Sequence, residues 1–501
     1  MKGKLMLGRT MTCQLDGLSV GIVQVEAETL GGFSAFSIVG LAGPSIQESK
    51  ERVRSAMRSS GIALPPGKIL VNLFPADERK SGTQWDLPIA MALASAMGLV
   101  DPKRCARAAF IGELGLDGSL RPIAGVFQMV LGLVGQVEEI FLEESQARIC
   151  STIEGIRIYP VNSLVDLLRH FRGEEEIQPC PHRNLDKNQG EEEDGLLDFK
   201  DMKGQDQLKK IMVLSALGHH HLLLIGPPGN GKSMALERAG TIQPDLEGQG
   251  LREVMGVRSI FTGREEEILS TRPPLLMPHY SITRAGLVGG GSPIQPGIIT
   301  RAHRGILVLD ELPLFSNECL DALRLPMDRK EISLLRNHRS RTYPSDFLLL
   351  SAMNPCPCGY YGAEDHDCAC SPYQVKSYRE KVSQPLLDRF DMVFEVGPVD
   401  KTGKSSMKEK DSTKMREEVE EGRDRIQFMK GKEKWPPKVS PGGKALLEEI
   451  SVFFHLSSRS LNKLLALAAS LCILRAGEKI SEEDLAEAFQ YRRARYKYWG
   501  K

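Results

Sequence analysis

Net charge is the first thing this 501-residue sequence lacks. Lys+Arg and Asp+Glu number 65 each, so no whole-chain positive field marks it for nucleic acid and no acidic excess marks a disordered tail. Any site for a polyanion must therefore be local. A long hydrophobic run is missing too. The nearly uncharged apolar stretch from Leu87 to Val100 falls short of the ~20 residues that span a bilayer, and the N-terminus has no cleavable signal pattern. The expectation is a cytoplasmic protein with no membrane partner. No internal repeat is visible. Cysteine is sparse outside one place: of ten, four fall between Cys356 and Cys370, which in a reducing compartment points to one metal site and not to a disulfide framework. The length exceeds what one hydrophobic core supports, so about two to four domains are expected.

What is present reads as three parts and a connector. Residues 1–173 alternate strand and helix patterns, punctuated at Gly40 to Pro44, Pro65 to Gly67 and Gly112 to Gly118, as in one α/β domain. Residues 174–195 string together acids, prolines and polar groups with little to bury, a linker composition. The segment 196–400 opens with a helical pattern over Gly204 to Leu217 and the apolar strand Leu222 to Ile225. Further apolar runs, Gly305 to Leu309 and Phe347 to Ala352, fit a parallel sheet covered on both faces. A charged stretch, Asp400 to Arg425, closes that part. Helical spacing in Gly442 to Ile450, Ser458 to Leu474 and Ser481 to Arg495 then makes residues 401–501 a helical domain.

The chemistry concentrates in the middle part. Gly226-Pro227-Pro228-Gly229-Asn230-Gly231-Lys232-Ser233 matches G-x-x-x-x-G-K-[ST] between an apolar strand and a helical segment, the setting a phosphate-binding loop needs. Glycines let backbone N–H groups turn onto phosphate oxygens where side chains would obstruct them. Lys232 would neutralise the β and γ phosphates and Ser233 would ligate Mg2+, so ATP and Mg2+ are the expected cofactors. Downstream, the run ending at Leu309 leads into Asp310 and Glu311. A carboxylate at the C-terminal edge of a parallel strand lies where such sheets hold ligands. Asp310 is thus expected in the Mg2+ shell and Glu311 as the base for the attacking water; two surface acids after a strand is the competing reading. Asn354 ends a third apolar run and either orients water against the γ phosphate or begins an ordinary turn.

Two arginines are ambiguous taken alone. Ser457 and Ser458 look like N-caps, which puts Arg459 in a first helical turn, where the dipole disfavours a cation and a nearby anion would account for it. Arg389 lies between Asp388 and Asp391, where a local ion pair is the plain reading. Cys356-Pro-Cys358 and Cys368-Ala-Cys370 bring four thiolates together as tetrahedral Zn2+ requires, in a closed and therefore structural site. Unligated thiols and a redox role are the alternatives, and His366 could replace one Cys. Lys330 to Tyr343 reads as two short strands about an Asn337-His338 turn, made basic by Lys330, Arg336, Arg339 and Arg341. It is either a track for phosphates or a solvated hairpin. Tyr491 to Trp499 interleaves bases and aromatics, as a stacking surface or simply as the end of a helix. His219-His220-His221 reads as a loop at the sheet edge in preference to a metal site.

Ala285 to Gly291 (AGLVGGG), Pro296 to Leu314 (PGIITRAHRGILVLDELPL), Ser351 to Tyr360 (SAMNPCPCGY) and Pro385 to Asp391 (PLLDRFD) closely resemble the magnesium-chelatase-like AAA+ ATPases, in particular the ComM/YifB group. Phe36 to Asn72 and Gly112 to Gly125 resemble that group's N-terminal domain, so the likeness spans nearly the whole chain. It departs at Pro278-His279-Tyr280, where the family has a His-His pair. The resemblance implies an α/β protein with a Lon-protease-like N-terminal domain, an AAA+ P-loop core on a parallel sheet and a C-terminal helical lid, assembled as a homo-hexameric ring. It implies that Asn354 is sensor 1, that Arg389 is the arginine finger reaching a neighbour's nucleotide, and that Arg459 is sensor 2 on the lid. It also implies that the basic hairpin projects into the pore of a helicase or branch-migration motor whose partner is single-stranded or branched DNA.

Peptidase chemistry is not expected of the first domain. A Ser-Lys dyad needs a hydroxyl beside an unprotonated amine. Gln84 falls where the nucleophile would be, and no Lys occurs from Phe110 through Val137, which leaves the hydroxyls of Ser81 and Thr83 without a base and the domain as an interaction or DNA-facing collar. Two other activities stay open on sequence: a magnesium-chelatase-type motor subunit for metal insertion into a tetrapyrrole, and a protein-remodelling ATPase.

Overall fold

The computed structural model describes residues 7–76, 80, 82–185, 197–291, 294–336, 339–363, 366–397 and 410–500, without the side chains of Arg336 and Arg339. Two compact units divide the chain. The first is Met1–Gly190 with Glu247–Ser270, and the second is Glu191–Leu246 with Thr271–Lys501. The expected boundary at 400/401 and the Ser81 hydroxyl lie outside the described residues.

In the first unit a mixed seven-stranded sheet runs, edge to edge, Ala35–Val39, Lys68–Phe74, Ser19–Leu30, Gly8–Asp16, Ala108–Phe110, Glu139–Glu143 and Arg157–Val161. The two longest strands form an antiparallel hairpin, and the last three strands are parallel. The apolar run noted in the sequence becomes the helix Asp86–Ala96, every residue of which is buried; a helix that is apolar all round can only be a central one. It packs on the long hairpin, and Gly8 permits that approach, since a Cβ there would stand 2.0 Å from the Ala92 carbonyl oxygen.

Residues 174–185, read from composition as linker, are held to this unit. Ile177 packs on its core and the Cys180 N–H donates to the Ile158 carbonyl at 2.8 Å. One apolar anchor and a backbone hydrogen bond leave little trace in composition. The helices Gly248–Phe261 and Glu265–Leu269 also belong here, packed against Val126–Leu133 and Glu144–Cys150, with the Gly125 N–H donating to the Ser259 carbonyl at 2.7 Å. Contiguity in sequence places them instead in the 196–400 segment, and the structure corrects that assignment.

The second unit is an α/β fold on a parallel sheet. Its five strands run Leu275–Leu276, Ile306–Leu309, Leu348–Met353, Leu222–Ile225 and Met392–Glu395, all paired parallel. Burial on both faces follows the two-residue period of a strand. Leu222, Leu224, Ile306, Val308, Leu348 and Leu350 share one core with lid residues Leu464, Leu467, Leu471 and Leu485, while Leu223, Ile225, Leu307, Leu309 and Leu349 share another with Phe315 and Phe390. The lid comprises Ser412–Gly431, Pro441–Phe453, Ser458–Leu474 and Glu482–Trp499 and has no separate core. Its first helix lies where only a charged stretch is readable in the sequence. Asp411 caps it, and its buried face is a narrow stripe of Met415, Val419 and Gly422, too few apolar positions to register among so many charges. Among the described residues, no helix is long and apolar enough to cross a membrane.

Candidate functional site

Three adjacent strands of the second unit end on one edge of the sheet, and each delivers part of a site there. Leu222–Ile225 runs into the glycine loop, Ile306–Leu309 into Asp310 and Glu311, and Leu348–Met353 into Asn354. The loop turns through Gly229 (φ 83°) and Gly231 (φ 81°), conformations that side chains resist, and a Cβ at Gly226 would stand 2.8 Å from the Val396 carbonyl oxygen. Asn230 steadies the loop through Nδ2 to the Val396 carbonyl at 3.3 Å.

Lys232 opens the next helix with its side chain folded back. Its Nζ donates to the carbonyls of Gly226 and Pro227 at 2.7 Å each and to Asn354 Oδ1 at 3.3 Å. Burial pushes this ammonium down to about 8, with Asp310 pulling the other way. Ser233 Oγ donates to Asp310 Oδ2 at 2.6 Å, and the other Asp310 oxygen accepts the Glu311 N–H at 2.9 Å. A hydroxyl and a carboxylate side by side are the oxygen donors that Mg2+ favours, and a glycine loop whose backbone a Cβ would foul suits a polyphosphate. Glu311 itself is exposed and held at φ 52°. It lines a cavity of about 460 Å³ together with Asn354, Tyr373, Gln374, Tyr378 and Lys381.

The arginines find a partner that no motif announces. Asp388 pairs with Arg495 and Asp391 with Lys463 at 2.8 Å, so neither neighbour serves Arg389. Instead Arg389 Nη2 pairs with Asp328, while its Nε and Nη1 donate to the Arg324 and Pro385 carbonyls at 3.0 and 2.6 Å. Arg459, in the first turn of Ser458–Leu474, takes the other oxygen of the same carboxylate, which is the anion its position called for. Burial works to raise the Asp328 carboxyl, yet hydrogen bonds from Arg389 and Arg459 hold it below the usual range. Only the tertiary fold unites positions 328, 389 and 459.

The four cysteine sulfurs lie within 4.8 Å of one another. Cys356 is 3.3 Å from Cys358 and 3.6 Å from Cys368; thiolates on a tetrahedral zinc would be about 3.8 Å apart. The Tyr360 backbone N–H, then the Cys356 thiol, pulls Cys358 down to about 6, whereas Cys356, Cys368 and Cys370 are shifted upward. His366 stacks on Tyr360 with ring centroids 4.7 Å apart and is not among the clustered ligand atoms. Behind the loop, Arg379 is sandwiched between Tyr361 and Tyr498, 4.4 and 4.7 Å from the ring centroids, and donates to the Pro355 carbonyl at 2.9 Å.

The basic hairpin pairs Glu331–Arg336 with Arg339–Pro344 antiparallel. Lys330 is tied at its base to Asp346 at 3.0 Å and Arg341 donates to the Ile294 carbonyl at 3.3 Å; the turn residues Asn337 and His338 and the side chains of Arg336 and Arg339 lie outside the described residues. The C-terminal tail is spent internally: Tyr491, Arg492 and Tyr498 are buried and Lys497 pairs with Glu395 at 2.7 Å. The His219-His220-His221 segment is not at the sheet edge. It feeds a strand flanked on both sides, with His220 Nε2 2.8 Å from Ser470 Oγ and His221 Nδ1 accepting the Leu349 N–H at 3.0 Å. In the first unit, Gln84 is buried, Lys80 is buried against the Pro75 carbonyl, and Asp86 forms an ion pair with Arg52 at 2.6 Å. Thr83 is half-buried.

The family described as "Magnesium chelatase, subunit ChlI" matches residues 198–404, and "Subunit ChlI of Mg-chelatase" matches residues 25–145. The chain is 31% identical over 488 residues to "Competence protein ComM" of Haemophilus influenzae, covering 95% of each. It is 31% identical over 490 residues to the protein YifB of Escherichia coli, again 95% of each. With the magnesium-chelatase 38 kDa subunit of Cereibacter sphaeroides it shares 28% identity over 174 residues, 31% of this chain and 52% of that protein.

Proposed function

The chain belongs to the ComM/YifB family of magnesium-chelatase-like AAA+ ATPases, and from that premise we propose an ATP-hydrolysing motor that assembles as a homo-hexameric ring and moves along single-stranded or branched DNA. The observation that carries the ATPase part is the meeting of Lys232 with Asn354 and of Ser233 with Asp310 at the ends of three adjacent strands. When bound, Mg2+ supplies charge neutralisation at the phosphates. Ser233 and Asp310 would hold it there. The backbone of Gly226 to Gly231 cradles the phosphates, and Lys232 leaves its own loop carbonyls to neutralise the β and γ groups. Glu311 takes a proton from the attacking water, and Asn354 orients that water. Arg389 stabilises charge on a neighbour's nucleotide, Arg459 acts as sensor 2 from the lid, and the four cysteines would hold a structural Zn2+.

The DNA part rests on the family and on the local charge of the hairpin. One relative is named a competence protein, and Lys330, Arg336, Arg339 and Arg341 gather basic charge on one strand pair in a chain with none to spare. The first unit, read from its sequence as Lon-like and without peptidase chemistry, serves as a collar. A chelatase-type motor is less favoured, because the chelatase relative accounts for only 31% of this chain. A protein remodeller has no observation of its own here. The test is the ATP turnover rate alone and with single-stranded, duplex and branched DNA. Stimulation by single-stranded or branched DNA is expected; turnover that responds to a protein substrate and to none of the DNAs would replace the reading.

A further inference from the structure

Resting on the reading that Arg389 serves a neighbouring protomer's nucleotide and that Arg459 is sensor 2 on the lid, we infer that Asp328 is a positioning residue. It holds both guanidiniums in a standby arrangement and releases them when the adjoining hairpin moves. The two oxygens of one carboxylate are shared between arginines from two elements, the segment after Gln384–Leu387 and the first turn of Ser458–Leu474. The side chain of Arg389 is only 13% exposed, and its remaining hydrogen bonds go to backbone carbonyls of Arg324 and Pro385. With Asp388 and Asp391 committed elsewhere, the charge of Arg389 is balanced by Asp328.

A guanidinium engaged in this way cannot also embrace a γ phosphate, so delivery to a neighbour requires the pair to break. A phosphate with its several charged oxygens competes well for a planar guanidinium. Asp328, one third exposed, makes the pair weak enough to be given up. The geometry also provides the trigger. Asp328 lies in the short helix Arg324–Arg329, which Lys330 (φ 59°) turns directly into the strand Glu331–Arg336. The Lys330–Asp346 pair at 3.0 Å and the Ser345 N–H bond to the Lys330 carbonyl at 2.8 Å fasten the hairpin base to that helix. The helix grips Arg389 twice, through Asp328 and through the Arg324 carbonyl. A strand of nucleic acid that displaces the hairpin therefore loosens both grips at once.

The experiment compares wild type, Asp328→Asn, Asp328→Glu and Arg389→Ala for ATP turnover with and without a single-stranded oligonucleotide, and for affinity toward a fluorescent ATP analogue. Asp328→Asn keeps the shape and removes the charge. It is expected to raise turnover without DNA by about two- to fivefold, the factor corresponding to a partly exposed ion pair. Nucleotide affinity should hold, and the DNA-stimulated ratio should shrink by the same factor. Asp328→Glu is expected to restore the wild-type ratio. An Asn variant with unchanged basal turnover and unchanged ratio overturns the inference. So does one that binds the analogue but loses turnover, because Asp328 would then support the arginines and not restrain them, and so does one that fails to fold. The underlying reading fails separately: wild-type turnover in Arg389→Ala removes the finger whatever Asp328 does. A wild type indifferent to DNA removes the polymer and leaves basal turnover to decide on Asp328.

Discussion

His220 and His221 enter the interior as neutral imidazoles. Burial is the main cause, and it lowers them to about 4 and about 3 while Asp391 pulls upward and His219 and Lys463 push further down. Unfolded, they take up protons near pH 6.5. Their contribution to stability is therefore complete above about 6.5 and is lost as pH falls toward their folded values. Asp391 adds to the same side: burial would raise it, but Lys463, His221 and His220 hold it at about 2, so its contribution is present above its unfolded value and lost below. Urea unfolding of the protein at a series of pH values should show stability falling below pH 6.5 by about 1.4 kcal/mol per pH unit for each histidine. His220→Gln should flatten that slope, and an unaltered slope would clear the histidine of the acid response. None of this is legible in the tripeptide. Three adjacent polar residues look like a surface loop until the strand that follows is known to be internal to the sheet.

At the scale of elements, what is legible in the sequence follows from burial. The apolar runs Leu222–Ile225 and Ile306–Leu309, and the run Leu348–Met353 broken only by Ser351, announce parallel strands, and the residues at their ends announce the site, because strand ends and turn residues are fixed locally. Elements with a narrow buried face, such as Ser412–Gly431, do not announce themselves. The cysteine loop is readable as a cluster, but its tie to the terminal helix is not. That tie is Arg379, which also donates to the Tyr498 carbonyl at 3.3 Å and accepts the Trp499 indole N–H on its own carbonyl at 3.2 Å. Freshly reduced protein should carry about one zinc per chain. Stripping it should lower thermal stability and alter Trp499 fluorescence, since the loop that packs on Arg379 loses its staple. Metal analysis that finds no zinc would end this assignment. For the hairpin, Arg336→Ala with Arg339→Ala should leave basal ATP turnover near wild type. The log-log salt slope of DNA affinity should shrink by roughly 0.7 to 0.9 for each phosphate no longer neutralised. A salt slope equal to wild type would make the hairpin a solvated turn.

At the scale of the whole molecule, the proposed ring makes a prediction that no single chain could satisfy. Glu311→Gln and Arg389→Ala should each bind ATP and hydrolyse it at least about a hundredfold more slowly. Mixed in equal amounts they should recover part of the activity, because some interfaces would pair an intact Glu311 with an intact Arg389. Mixed rings that stay inactive would remove Arg389 from a role in trans. The division into units is the least legible feature, since sequence order places residues 247–270 with the nucleotide site. The Leu246 N–H donates to the Thr271 carbonyl at 2.8 Å, so the segment leaves and re-enters the second unit at one point while Leu251, Val254, Met255 and Val257 are buried. The polypeptide consequently passes between its two units three times. A recombinant fragment beginning at residue 197 would present those apolar side chains to water, and cutting the chain between residues 185 and 197 would yield two pieces that co-elute.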